Sequence, residues 1–256
     1  MDLGDVGQVR CIVGRVVVLA QEGYRNYCHW MLEILPKLAL LRDVDSYDWI
    51  YLPRLDLPFQ KATLALMGVD LGKVIEGDVG VYFEADELIV PSFVSLSCYS
   101  PHWVIDYLRE HLMPGGQSED VQNKFSDRVF ISRRRASCRR LINEEEIFRY
   151  LELLGFRRYD LEDLSVEDQR LLFAEARVVI GTHGAGLTNL IFCKPGTKVL
   201  EIFQAREDDT YCYLSQVLGL DYHCLQTVPF VKVDDARDTV VALELFQDAV
   251  SMMKLL

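Results

Sequence analysis

Apolar and polar positions follow two rhythms along the chain. Runs rich in Val, Ile and Leu at 11–20, 48–52, 81–90, 128–132, 177–181, 198–203 and 220–226 read as strands. Between many of them apolar residues recur at helical spacing, at about 26–42, 58–68, 101–112, 143–154, 165–176, 209–218 and 238–254. Strands alternating with helices predict an α/β fold, with parallel sheets covered on both faces. The stretch MPGGQSEDVQNKFSD, residues 113–127, is polar, carries Pro-Gly-Gly and lacks periodicity, so it reads as a linker. The predicted architecture is two Rossmann-like lobes facing a central cleft. The N-terminal lobe is expected over 1–115, the linker over 116–127 and the C-terminal lobe over 128–237, with a C-terminal helix over 238–256 packing back on the lobes. Clefts of this kind bind ligands.

Half of the 256 residues are hydrophobic, which supports a real core, and the net charge of −12 argues against a nucleic-acid partner. Seven scattered cysteines with no CxxC pair read as thiols in a reducing compartment. The opening MDLGDVGQVR has neither a basic n-region nor an apolar h-region, so a cytoplasmic location is expected.

Three stretches carry candidate chemistry. In VVIGTHGAGLTNLIFCKPGTKVLEIF, residues 178–203, a strand empties into glycines at 181, 184 and 186 before a helix. Glycine allows a tight turn and a close ligand, and a helix N-terminus suits a phosphate or diphosphate. His183 adds a hydrogen-bonding group and Asn189 lies deeper, suited to orientation. The same pattern is also compatible with a plain connecting turn, since it is not a complete GxGxxG. In RVFISRRRASCRR, residues 128–140, five arginines follow a strand. Arg133, nearest the strand end, is best placed to reach a cleft and grip a phosphate with its planar fork. Arg134, Arg135, Arg139 and Arg140 read as a solvated basic loop.

In NYCHWMLEILPKLALL, residues 26–41, Trp30, Ile34, Leu38 and Leu41 form an apolar helical stripe, and Asn26, His29, Glu33 and Lys37 form another. His29 and Glu33, one turn apart, are either an ordinary surface pair or a general base with its partner. Pro36 predicts a kink, because it leaves the Leu32 carbonyl without its usual donor. No metal site is expected. Asp43-Val44-Asp45 spells DxD at a helix end where acids are simply solvated, Asp208-Asp209 reads as a helix cap, and the histidines do not cluster in sequence.

Taken in order, NYCHWMLEILPKL, RVFISRRRA and GTHGAGLTNLIFCKPGTKVLEIF resemble the glycosyltransferase family 61 domain, over about residues 20–230. That family includes protein O-linked N-acetylglucosaminyltransferases, plant xylan xylosyl- and arabinosyltransferases, and capsular polysaccharide proteins. The resemblance implies a GT-B fold and an inverting, metal-independent transfer with no cofactor. A nucleoside-diphosphate sugar, UDP by family habit, would be the donor, and a glycan, lipid-linked or protein molecule the acceptor. Gly184, Ala185 and Gly186 would cradle the diphosphate with Arg133 and His183 supplying charge. Asn26 and Asn189 are further expected substrate contacts. Glu201 would accept hydrogen bonds from ribose or sugar hydroxyls, and His29 or Glu33 would face the acceptor.

Only about 25 residues precede the NYxHW block, so a small N-terminal lobe is expected, and with no signal-anchor helix read in the sequence the soluble bacterial or viral type of the family is the expectation. The apolar face of the last helix is expected either to pack or to touch a membrane surface. A catalytically silent sugar-nucleotide-binding module is the alternative. A nicotinamide oxidoreductase is disfavoured, because the first strand leads to Ala20-Gln21-Glu22-Gly23-Tyr24-Arg25 instead of a GxGxxG turn.

Overall fold

The computed structural model describes residues 9–42, 44, 46–77, 82–113, 124–204, 209–227 and 238–255. The chain forms two compact units, Met1–Leu112 and Met113–Leu256. Each is an α/β unit built on an all-parallel sheet.

Unit 1 contains β1 (Val9–Val18), β2 (Trp49–Pro53), β3 (Val74–Gly77) and β4 (Tyr82–Ile89), in the order β3-β2-β1-β4. Helices α2 (Pro58–Leu66) and α3 (His102–Leu112) accompany them. The register of β1 on β4 shifts between Ile12 and Arg15. The amides freed at this bulge donate to acids, Gly14 to Asp86 at 2.7 Å and Arg15 to Asp48 at 2.8 Å.

The segment after β1 departs from the expected two-faced helix. It runs as one α-turn (α1, Tyr27–His29), a π-helical stretch (Trp30–Ile34) and a 3-10 stretch (Leu35–Leu41). Pro36 is the cause: it has no N–H for the Leu32 carbonyl. The Ser95 hydroxyl donates to that carbonyl instead, at 2.7 Å. All of Trp30–Lys37 is buried, polar Glu33 and Lys37 included. Trp30 anchors the segment, with its indole N–H 2.8 Å from the Thr63 hydroxyl on α2.

Unit 2 contains β5 (Arg128–Ile131), β6 (Arg157–Tyr159), β7 (Val178–Thr182), β8 (Lys198–Gln204) and β9 (Asp221–Thr227), in the order β6-β5-β7-β8-β9. Its helices are α4 (Glu144–Leu153), α5 (Val166–Glu175), α6 (Thr210–Leu218) and α7 (Leu243–Met252). The short strands β3 and β6 have no apolar run to announce them. β6 is an edge strand reading Arg-Arg-Tyr, where charge discourages further pairing. The last helix starts five residues later than its pattern suggested, because Thr239 pairs in parallel with Leu141 before it. Its apolar residues Phe246, Val250 and Met253 are spent in the core of unit 2, with Phe130, Ile147 and Ile180. Among the described residues no helix is long and apolar enough to cross a membrane. Of the expected linker 116–127, residues 116–123 lie outside the described residues, as do Asp43, Asp45 and Asp208. Asp209 stands at the N-cap of α6 but makes no side-chain cap hydrogen bond.

Candidate active site

In both sheets the strand order reverses, at β5/β7 in unit 2 and at β1/β4 in unit 1. Such switch points open a crevice at the carboxyl ends of the strands, where ligands of α/β sheets bind. The candidate residues gather at these two places, one in each unit.

In unit 2, Arg133 follows β5 and His183 to Gly186 follow β7. A 3-10 helix over Ala185–Phe192 begins there, with Leu187 N–H donating to the Gly184 carbonyl at 2.9 Å. Ahead of that first bond, the amides of Gly184, Ala185 and Gly186 have no acceptor among the described residues. The Arg133 guanidinium lies against Gly184: a Cβ there would fall 2.7 Å from its Cζ. Gly186 is likewise closed over, with a Cβ 2.8 Å from Leu161 Cδ1. Gly184 and Gly186 therefore make room for neighbouring side chains of the protein itself, where the sequence pattern left open a close ligand or a plain connecting turn.

The Arg133 guanidinium donates to the carbonyls of Arg139 (3.2 Å) and Cys138 (3.0 Å), and among the described residues it has no carboxylate partner. Burial, and then the like charge of Arg139, push its affinity for its proton below the usual guanidinium range. The rest of the basic island is largely neutralised. Arg134 forks onto Asp160, Arg135 donates one bond to Asp163, and Arg140 sends two donors to a single oxygen of Asp238.

His183 is buried and its Nδ1 lies 2.5 Å from Glu201 Oε1. Its ring stacks on Phe203 at 5.3 Å and tilts against Tyr211 at 5.3 Å. Glu201 is fully buried, and Tyr222 donates to its other oxygen at 2.6 Å. Both oxygens are thus engaged inside the protein, and Glu201 fixes the His183 ring. Asn189 is also fully buried. Its amide donates to Gln169 Oε1 at 2.9 Å and to the Gly186 carbonyl at 3.2 Å, bracing the turn from within. The Thr182 hydroxyl is buried at the end of β7 with no partner among the described residues.

In unit 1, His29 and Glu33 line an open pocket of about 830 Å³ with Gln21, Phe93, Ser95 and Tyr99. Glu33 is buried, so the pair is not an ordinary surface pair. Its Oε1 lies 3.0 Å from His29 Nδ1 and accepts the Cys98 N–H at 2.8 Å, and its Oε2 accepts the Gln21 amide at 2.7 Å. His29 Nε2 is the ring nitrogen left available. Lys37 does not pair with Glu33 but sits over the Phe93 ring at 5.3 Å, and burial lowers its pKa. Asn26 is exposed and caps the helix, its side-chain oxygen accepting the Cys28 N–H at 2.8 Å.

Cys98 was not singled out by sequence, since it lies 65 residues from Glu33. Its turn carries two successive non-glycine residues in the left-handed region, Ser97 (φ 48°) and Cys98 (φ 66°), closed by Leu96 pairing with Tyr99. The Cys98 thiol reaches 3.6 Å from His29 Nδ1. Tyr222 and Gln21, which hold the two site carboxylates, were likewise invisible without the fold.

The family model for glycosyltransferase 61 matches residues 27–200. Over 135 residues the chain is 30% identical to a beta-1,2-xylosyltransferase of Oryza sativa subsp. japonica, covering 47% of this chain and 25% of that protein. Over 100 residues it is 29% identical to the EGF domain-specific O-linked N-acetylglucosamine transferase of Drosophila melanogaster, covering 37% of this chain and 19% of the relative. A beta-1,2-xylosyltransferase of Arabidopsis thaliana is 32% identical over 100 residues, 34% of this chain and 19% of the relative. The matches thus span a quarter or less of these relatives' length. The family match runs from the helix that carries His29 and Glu33 through Cys98, Arg133 and His183–Gly186 and ends one residue short of Glu201, and the chain belongs to the glycosyltransferase 61 family.

Proposed function

We propose that the protein is an inverting glycosyltransferase that moves a sugar from a nucleoside-diphosphate donor to a glycan or protein acceptor, with no metal or cofactor in the chemical step. One observation carries this reading: the half-buried Arg133 guanidinium, with no acid partner among the described residues, stands beside three free amides at the start of a helix. That combination suits a diphosphate, whose oxygens accept both guanidinium and backbone N–H bonds. The relatives, a xylosyltransferase and an N-acetylglucosamine transferase by name, support sugar transfer as the reaction class. A GT-B-like organisation, with unit 2 as the donor lobe and unit 1 as the acceptor lobe, is part of the proposal.

In the step itself, His29 Nε2 takes the proton of an acceptor hydroxyl. The freed oxygen attacks the anomeric carbon from the face opposite the leaving group, and the bond to the diphosphate breaks with its electron pair on the phosphate oxygen. One displacement inverts the anomeric centre. Glu33 holds the His29 ring by Nδ1, so that Nε2 is the accepting nitrogen. Arg133 and the amides at 184–186 stabilise the charge that builds on the diphosphate. His183, clamped by Glu201, adds a hydrogen bond on the same side. Phe93 and Tyr99 offer apolar surface at the rim of the pocket for the acceptor.

The test is a thermal-shift screen with UDP, GDP, CDP and ADP in EDTA, repeated on Arg133→Ala. A ligand at about a hundred times its dissociation constant adds roughly 2.7 kcal/mol. A shift with one diphosphate that Arg133→Ala loses supports the donor site. No shift with any of them, with and without candidate acceptors, defeats it. Donor binding with no transfer to any acceptor would favour the silent binding module.

A further inference from the structure

We propose that His29 Nδ1, Glu33 Oε1 and the Cys98 thiolate form a binding site for a zinc-class divalent cation beside the unit 1 pocket. The three ligand atoms already lie within 4.8 Å of one another, with 3.0 Å between His29 Nδ1 and Glu33 Oε1 and 3.6 Å between His29 Nδ1 and Cys98 Sγ. Zn–N, Zn–O and Zn–S bonds at tetrahedral angles set ligand separations of roughly 3.4–3.6 Å. Side-chain shifts of a few tenths of an ångström at the His29–Glu33 edge are enough to bring that contact to this spacing.

The donor set is selective. One thiolate, one imidazole and one carboxylate suit zinc and its relatives, whereas magnesium and calcium want oxygens alone. The supporting bonds are those expected around a metal ligand. Gln21 holds the far oxygen of Glu33 at 2.7 Å and the Cys98 amide holds the near one at 2.8 Å. The turn that aims Cys98 keeps two non-glycine residues in the left-handed region, a conformation that persists only when its surroundings enforce it. Three protein ligands leave a fourth position for water from the pocket of about 830 Å³ that His29 and Glu33 line, the arrangement of an open zinc site.

Binding displaces one thiol proton from Cys98 to solvent and places the ring proton of His29 on Nε2. Nε2 is then no longer free to accept a proton, so the bound cation acts as an inhibitor of the transfer proposed above. The site itself does not depend on that transfer.

Cobalt(II) is the probe, added to the whole chain with no sugar nucleotide present. One equivalent is expected to produce a sulfur-to-cobalt charge-transfer band and intense four-coordinate d–d bands, both displaced by zinc. Cys98→Ser abolishes the charge-transfer band, and Gln21→Ala weakens cobalt affinity about 10- to 100-fold. A wild-type titration without a sulfur band overturns the site, as does a band that survives in Cys98→Ser. Should that variant fail to fold, zinc-edge X-ray absorption of the wild type decides: a shell of one sulfur with nitrogen and oxygen is expected, and a shell without sulfur overturns the site. Because no donor is involved, failure here is separate from failure of the diphosphate reading.

Discussion

The guanidinium of Arg133 occupies the space that a side chain on Gly184 would need, with its Cζ 2.7 Å from where a Cβ would stand. The backbone of Gly184 is extended (φ 165°), so the glycine is required for space and not for its torsion. An arginine after one strand and a glycine after the next strand in the sheet thus depend on each other. Together they set a cation beside the amides at the start of a helix.

Gly184→Ala is therefore expected to displace Arg133 while leaving the sheet intact. Overpacking of this kind costs about 1–3 kcal/mol. Thermal melts with and without the bound diphosphate read both effects: a modest loss of stability, and a ligand shift reduced to that of Arg133→Ala.

Glu201 holds His183 on one side and accepts from Tyr222 on the other. Tyr222→Phe leaves a buried carboxylate oxygen without its donor and costs about 1–3 kcal/mol. Glu201→Ala empties a fully buried position and takes the acceptor from both His183 and Tyr222, so it costs more than Tyr222→Phe. Urea denaturation of both variants gives the order. Equal, near-zero effects would show that the carboxylate does not brace the site.

His29→Ala removes the proposed base but not the diphosphate site, which stands on other elements. Turnover is expected to fall about 100- to 10,000-fold with the donor dissociation constant unchanged. Glu33→Gln keeps the shape of the side chain but changes its hydrogen bond to the imidazole, and is expected to lower turnover without changing donor affinity. Paired binding and rate measurements separate this outcome from general unfolding.

Acid stability should report the Arg134–Asp160 pair. Burial works to raise the Asp160 pKa, but the Arg134 hydrogen bond and charge outweigh it and hold the carboxyl below its usual value. A depressed carboxylate contributes stability that is fully present above its unfolded pKa of about 3.9. That contribution is lost as pH falls through the lower folded value. Arg134→Gln is expected to flatten the acid limb of a melting-temperature profile taken from about pH 7 to about pH 3 and to change little at neutral pH beyond the lost pair.

Much of this protein is legible in the chain itself. Runs of Val and Ile between amphipathic segments dictate a parallel α/β fold, because strands buried on both faces must be apolar throughout and need helices to cover them. The stretches around His29, Arg133 and His183 stand out because local sequence places them at strand ends and on a helix. What the chain could not disclose are the long-range partners. Glu33 is buried and not solvated because Pro36 turns its helix into π and 3-10 stretches packed in the core. Glu201 and Asn189 face inward, because β8 is an inner strand paired on both sides and the 3-10 helix packs beside α5. Cys98 meets His29 only across a turn 69 residues away. Periodicity fixes which residues lie on a strand or helix. Which groups then touch depends on sheet order and loop closure, and those are settled by packing the whole unit at once.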